Sequence, residues 1–168
     1  QGPRAREILK SVVEFDMDRM RFFRVRETTL SGIPVHISRT GYTGDLGYEI
    51  WTANTHAEAL WDALMAAGEP HGMLPIGLNA LDVCRIEAGF VLQGVDYITA
   101  RRCLIDAQKS TPDDAGLGWT VDLDREPFIG QAAIRAERAA SPVWDLVGLE
   151  ISWPELEALY ATYGVPPH

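Results

Sequence analysis

Between Ile33 and Thr52 two alternating apolar–polar runs flank a glycine-rich break, and this stretch constrains the fold more than any other. Ile33, Val35 and Ile37 alternate with Pro34, His36 and Ser38, the two-residue period of a half-buried strand. Pro34 has no amide to give to a ladder, so it predicts an edge position or the start of the strand. The loop Thr40 to Gly47 then places Gly41, Gly44 and Gly47 within eight residues. Tyr48 to Thr52 resumes the alternation, with Glu49 and Trp51 on one face and Tyr48 and Ile50 on the other. This pattern predicts a β-hairpin with a long glycine-rich tip.

Helical periods surround it. Ala5, Ile8, Leu9, Val12 and Val13 predict an amphipathic helix over 4–13, with Pro3 tolerated in its first turn and Arg4, Arg6 and Lys10 in water. A charged stretch with Phe22, Phe23 and Val25 reads as a short strand or turn. Thr55 to Glu58 has the form of a capping box and opens a helix with Leu60, Trp61 and Leu64 inward, ending at Gly68. A second helix is expected over 77–88, with Leu78, Leu81, Cys84 and Ala88 on its apolar side, an Asp82–Arg85 pair on its surface, and Gly89 as a left-handed cap. Beyond it, 90–97 reads as extended and 99–115 as irregular. Strands are expected at 117–123 and 145–151, and a helix at 130–140. Ser152 to Glu155 opens a last helix with Leu156, Leu159, Tyr160 and Tyr163 inward, ended by Gly164 and two prolines. Hairpin connections outnumber parallel crossovers, which favours an α+β fold: an antiparallel sheet packed with helices.

Composition narrows the function. With 46% hydrophobic residues the chain can fill a core, which excludes disorder along most of its length. Fifteen basic against twenty-four acidic residues give a net charge of −9. That balance repels phosphate backbones and anionic membranes wherever no local basic patch exists. No apolar run approaches the roughly 20 residues of a membrane span. Cys84 and Cys103 form neither a CxxC nor a disulfide framework, so the expectation is a reduced, cytoplasmic protein. The chain starts at Gln1 rather than Met, in what reads as the entry to a helix, and is expected to be a piece of a longer protein.

Most site chemistries are not supported. The histidines at 36, 56, 71 and 168 are isolated, with no metal-ligand spacing. There is no GxSxG elbow and no Walker sequence, and the Gly41–Gly47 loop precedes a strand where a dinucleotide fingerprint needs a helix. One constellation is left: Tyr42 in the loop, with Glu49 and Trp51 on the returning strand. A carboxylate beside aromatic planes can accept two parallel hydrogen bonds from a flat heterocycle while the rings stack on its faces. The same residues also describe, and by themselves favour, a solvated Glu on an exposed sheet face among packing aromatics.

The stretch Ser38-Arg39-Thr40-Gly41-Tyr42-Thr43-Gly44-Asp45-Leu46-Gly47-Tyr48-Glu49-Ile50 closely resembles the central motif of the glycine cleavage system T protein family. Similarity continues through Gly77-Leu78, Leu81 to Gly89, Ala115 to Trp119 and Phe128 to Gly130, and the opening Gln1 to Glu7 resembles that family's mid-chain helix start. The motifs run in order across residues 1–151. The resemblance implies a partial folate-binding domain over 1–151, with 152–168 a terminal helix and tail leading toward a further domain. It implies tetrahydrofolate as cofactor, with Glu49 on the pterin and Tyr42 nearby. The implied reaction passes an aminomethyl group from a lipoylated carrier protein to tetrahydrofolate, with release of ammonia. An acid/base carboxylate serves that reaction, but the family's catalytic aspartate has no counterpart in these residues, so the fragment is expected to be inactive.

Departures from the family pattern open two alternatives. Leu81 stands where aminomethyltransferases carry a folate-contacting arginine, and leucine has no fork of donors to offer. A folate-dependent demethylase, or the folate domain of an amine dehydrogenase, would fit that change. A non-catalytic folate-binding module is the other alternative. Against it, the cysteine-containing motif of iron–sulfur relatives is absent around 115–119 and 128–131, and the acidic charge disfavours tRNA.

Overall fold

The computed structural model describes residues 1–140 and 144–166, so His168 and Pro167 lie outside the described residues. The chain divides into two compact units, Gln1–Phe90 and Val91–His168. The first has the α+β character expected: a three-stranded antiparallel sheet packed with helices.

In the first unit, α1 (Ala5–Lys10) buries Ile8 and Leu9. The sheet follows as β1 (Val25–Leu30), β2 (Ile33–Ser38) and β3 (Glu49–Trp51), in that spatial order. Strand β1 extends well past the short segment expected around Phe22–Val25. Its signal was the Ser31-Gly32 pair, both at positive φ (49° and 80°), which joins Leu30 to Ile33 in the two-residue turn that matches strand twist. The expected hairpin forms between β2 and β3, pairing Ser38 with Glu49, Ile37 with Ile50 and His36 with Trp51. Pro34 sits near the start of β2 and beyond the reach of β3, so its missing amide costs the central strand no bond to that neighbour.

Helix α2 (Ala57–Gly68) lies against α1, and α3 (Leu78–Glu87) follows a 3-10 turn at Glu69–His71 and an irregular stretch. The core gathers Leu9, Val13, Met17, Met20, Leu30, Val35, Ile37, Tyr48 and Leu60. Four expectations about side chains are overturned. Trp61 is exposed rather than inward, since α2 turns only its Leu60–Leu64 stripe to the core. Arg6 is half-buried and donates from Nε to the Tyr48 hydroxyl (3.0 Å), which raises its pKa further above the ordinary value. Leu78 is 82% exposed, while Arg85 on the same helix is 2% exposed. The Asp82–Arg85 pair therefore joins a buried guanidinium to a half-exposed carboxylate, not two surface charges.

Neither expected capping box closes. A 3-10 turn at Asn54–His56 shifts the start of α2 to Ala57, and the residues at the N-caps of α2 and α5 make no side-chain cap bond.

In the second unit α4 (Gln131–Ala140) and α5 (Trp153–Thr162) fall where expected. Residues 90–97 are not extended: Asp96 folds them into a turn by accepting the Leu92 amide at Oδ2 (2.6 Å). No strand forms over 117–123, where a 3-10 turn occupies Gly118–Thr120, or over 145–151. With Ala115 the one buried apolar residue of this unit's described part, the unit provides no apolar sheet face for those strands to cover. Helix α5 half-buries Leu156 and Tyr160 but leaves Leu159 and Tyr163 exposed.

At the surface, Lys10 Nζ donates to Asp18 Oδ2 (2.5 Å) and holds that carboxyl below its ordinary pKa. Because the folded value is the lower one, the pair stabilises the fold above the ordinary carboxyl range. That contribution is lost as pH falls through the depressed value. Lys10→Met is expected to return the Asp18 pKa toward the ordinary value in a carboxyl-carbon NMR titration; an unmoved titration would refute the assignment.

Candidate functional site

The end of β2, the loop after it and β3 converge on Glu49. Ser38 is buried at the close of β2 and stands opposite Glu49 in the register. The Thr40 hydroxyl donates to Glu49 Oε2 and also bonds the Ser38 hydroxyl. A hydroxyl has one proton to give, so Ser38 must donate to Thr40. The result is a directed relay, Ser38 to Thr40 to Glu49, that fixes one carboxylate oxygen. The other oxygen has no partner, and Glu49 forms no ion pair among the described residues. It is exposed on the outward face with Trp51, two residues along the strand.

Trp51, 49% exposed, stands opposite His36 and lines an open depression of about 690 Å³ with Glu27, Pro34, Thr52 and His56. On the inner face Tyr48 and Ile50 border a separate, mostly apolar cavity of about 530 Å³ between α1, α2 and the segment His71–Ile76. Glu49 and Tyr42 line neither of these two. Tyr42 is stacked on Phe90, with ring centroids 5.6 Å apart and an interplanar angle of 19°. The structure thus places Glu49 and Trp51 side by side and pairs Tyr42 with a different aromatic.

Phe90 was not singled out in the sequence, although its place directly after the cap Gly89 (φ +73°) was the available signal. It is held by Arg85, whose Nε donates to Asp82 Oδ1 (2.7 Å) and whose Nη1 donates to the Phe90 carbonyl (3.1 Å). The Phe90 amide returns a bond to the Arg85 carbonyl (2.8 Å). Arg85 therefore acts through Phe90 and positions the ring on which Tyr42 lies.

The loop glycines serve the chain itself. The side chain of Gln1 enters between Gly41 and Gly47, where added Cβ atoms would stand 2.2 and 1.8 Å from its Oε1. Thr43 Oγ1 donates to that oxygen (3.2 Å), Gln1 Nε2 donates to the Tyr48 carbonyl (3.2 Å), and the Gly2 amide donates to the Leu46 carbonyl (2.8 Å). At the tip, Gly44 (φ +77°) packs on Ala88 at the end of α3. The loop is braced on both sides, which limits what Thr40 and Tyr42 can do. Among the described residues no group of three His, Cys, Asp or Glu is placed to hold a metal ion. No helix among the described residues is long and apolar enough to cross a membrane.

A family model described as "GCVT N-terminal domain" matches residues 1–125. An aminomethyltransferase of Halothermothrix orenii is 40% identical over 151 residues, covering 90% of this chain and 40% of the relative. Another from Streptomyces coelicolor is 43% identical over 153 residues, covering 89% and 39%. A trimethylamine-oxide aldolase of Ruegeria pomeroyi is 41% identical over 161 residues, covering 90% of this chain and 19% of the relative. The chain spans about two fifths of the length of these aminomethyltransferases.

Proposed function

Because this chain belongs to the GCVT N-terminal domain family, we propose that it supplies the folate-holding part of a tetrahydrofolate-dependent aminomethyltransferase. The observation that carries this reading is Glu49: an exposed carboxylate with one oxygen anchored by Thr40, the other without a partner among the described residues, beside the exposed Trp51. A carboxylate already oriented in this way has less rotamer freedom to lose when it accepts neighbouring N–H groups of a pterin. Trp51 offers a face for the ring, while Tyr42, stacked on Phe90, belongs to the loop that leads to Glu49. When bound, tetrahydrofolate contributes the N5 and N10 atoms that receive the one-carbon unit. The residues described here bind and orient it; none is assigned the proton transfer, and the isolated chain is expected to turn nothing over.

On the same reading residues 1–151 are the folate-binding part and 152–168 lead away from it. A lipoylated carrier protein delivers the aminomethyl group, and the free Cys84 and Cys103 suit the cytoplasm. Leu81 and the likeness to an aldolase acting on trimethylamine oxide favour a second reading, in which the one-carbon donor is a methylated amine.

Tryptophan fluorescence titrated with tetrahydrofolate under reducing conditions tests the cofactor. Glu49→Gln should weaken binding by about 10- to 100-fold, the equivalent of about 1.5–3 kcal/mol for a charge-assisted pair. Equal affinity of the variant and the parent chain would remove Glu49 from the site.

A further inference from the structure

The net charge of −9 hides one strongly basic stretch. Residues 19–26 hold Arg19, Arg21, Arg24 and Arg26 and no acid. In the middle of it, Phe22 and Phe23 are 61% and 65% exposed, with ring centroids 4.1 Å apart and planes tilted by 51°. Phe23 has φ +57°, a conformation that bulky side chains rarely adopt. Its backbone is pinned there: the Phe23 amide donates to the Arg39 carbonyl (3.2 Å), and the Arg39 amide donates to the Arg24 carbonyl (3.0 Å). Arg39 Nη1 also donates to the Met20 carbonyl (3.0 Å). Arg19 is drawn to Asp16 and Arg26 lies over the Phe15 ring, but Arg21 and Arg24 make no side-chain hydrogen bond, ion pair or ring contact among the described residues.

A strained backbone held by several bonds, presenting two phenyl rings between two uncommitted guanidiniums, points to function rather than packing. We propose that the Arg21–Arg24 turn is a docking surface for an acidic protein segment bearing apolar side chains. Guanidinium forks match carboxylates bidentately, and the phenyl pair offers an apolar anchor between them. Long polyanions and anionic bilayers carry charge well past an eight-residue patch and onto the acidic remainder of the surface, which repels them. A short acidic segment does not. This surface is independent of the folate reading.

The probes are a copolymer of glutamate and tyrosine about 12 residues long, polyglutamate of the same length, a 20-nucleotide oligothymidylate, and vesicles of phosphatidylcholine with 30% phosphatidylserine, each titrated against the full chain. The copolymer should bind at least tenfold more tightly than polyglutamate, oligothymidylate or vesicles, and its binding should weaken as salt rises. Arg21→Ala with Arg24→Ala should lower copolymer affinity at least tenfold. Phe22→Ala with Phe23→Gly should do the same without a fall in melting temperature, since glycine relieves the positive φ. Copolymer binding that is absent, that either double variant leaves unchanged, or that oligothymidylate or vesicles equal would overturn the proposal.

Discussion

Leu30→Ala is expected to destabilise the first unit by about 3–5 kcal/mol, the upper range for a buried leucine truncated to alanine. Leu30 is fully buried, ends β1, pairs with Ile33 across the turn and is bridged to Val13. It therefore touches the junction between the sheet and the segment that follows α1. Neighbours such as Met17 and Met20 are themselves almost completely buried and tied to a 3-10 turn, so they cannot collapse far into the cavity. For a unit of this size each kcal/mol moves the melting temperature by roughly 4–8 °C. A drop of about 15–30 °C should follow in a thermal melt monitored by far-UV dichroism. A loss under about 1 kcal/mol would mean that this cluster is not the packed core.

Gly44→Ala is expected to cost about 2–4 kcal/mol, from two sources that can be separated. A side chain at φ +77° is strained by about 1 kcal/mol, and the new methyl would stand 2.6 Å from the Ala88 Cβ, an overpacking cost of about 1–3 kcal/mol. Ala88 is short and anchored to the end of α3, so it has no flexible end to swing away. Gly32→Ala is the control: its φ is +80° but open space lies where the methyl would go. Denaturant midpoints should therefore fall clearly further for Gly44→Ala than for Gly32→Ala. Equal losses would show that loop and helix do not touch.

The parts of this fold that were legible in the sequence are those set by period and by turn chemistry. Alternation from Ile33 to Thr52 gave the β2–β3 hairpin and the outward face of Glu49 and Trp51, and Gly89 gave the end of α3. The misread parts depend on tertiary competition. A helical period marks which residues could face a core, but Leu78 and Trp61 are exposed because nothing in the first unit covers their sides of α3 and α2. Burial of Arg85 was invisible for the converse reason: a guanidinium goes inside only when the Asp82 carboxylate and the Phe90 carbonyl both meet it. At the site, residue types suggested an acid among aromatics. The hydroxyl relay through Ser38 and Thr40, the stack of Tyr42 on Phe90, and the seating of Gln1 between two glycines required the folded geometry.

The choice of arginine at position 85 has a consequence for alkaline conditions. A guanidinium keeps its proton at any pH a cell encounters, whereas an interior lysine readily gives its proton up. The knot that ties the last turn of α3 to Phe90 therefore cannot be undone by a rise in pH, and the aromatic ledge beside the loop stays in place.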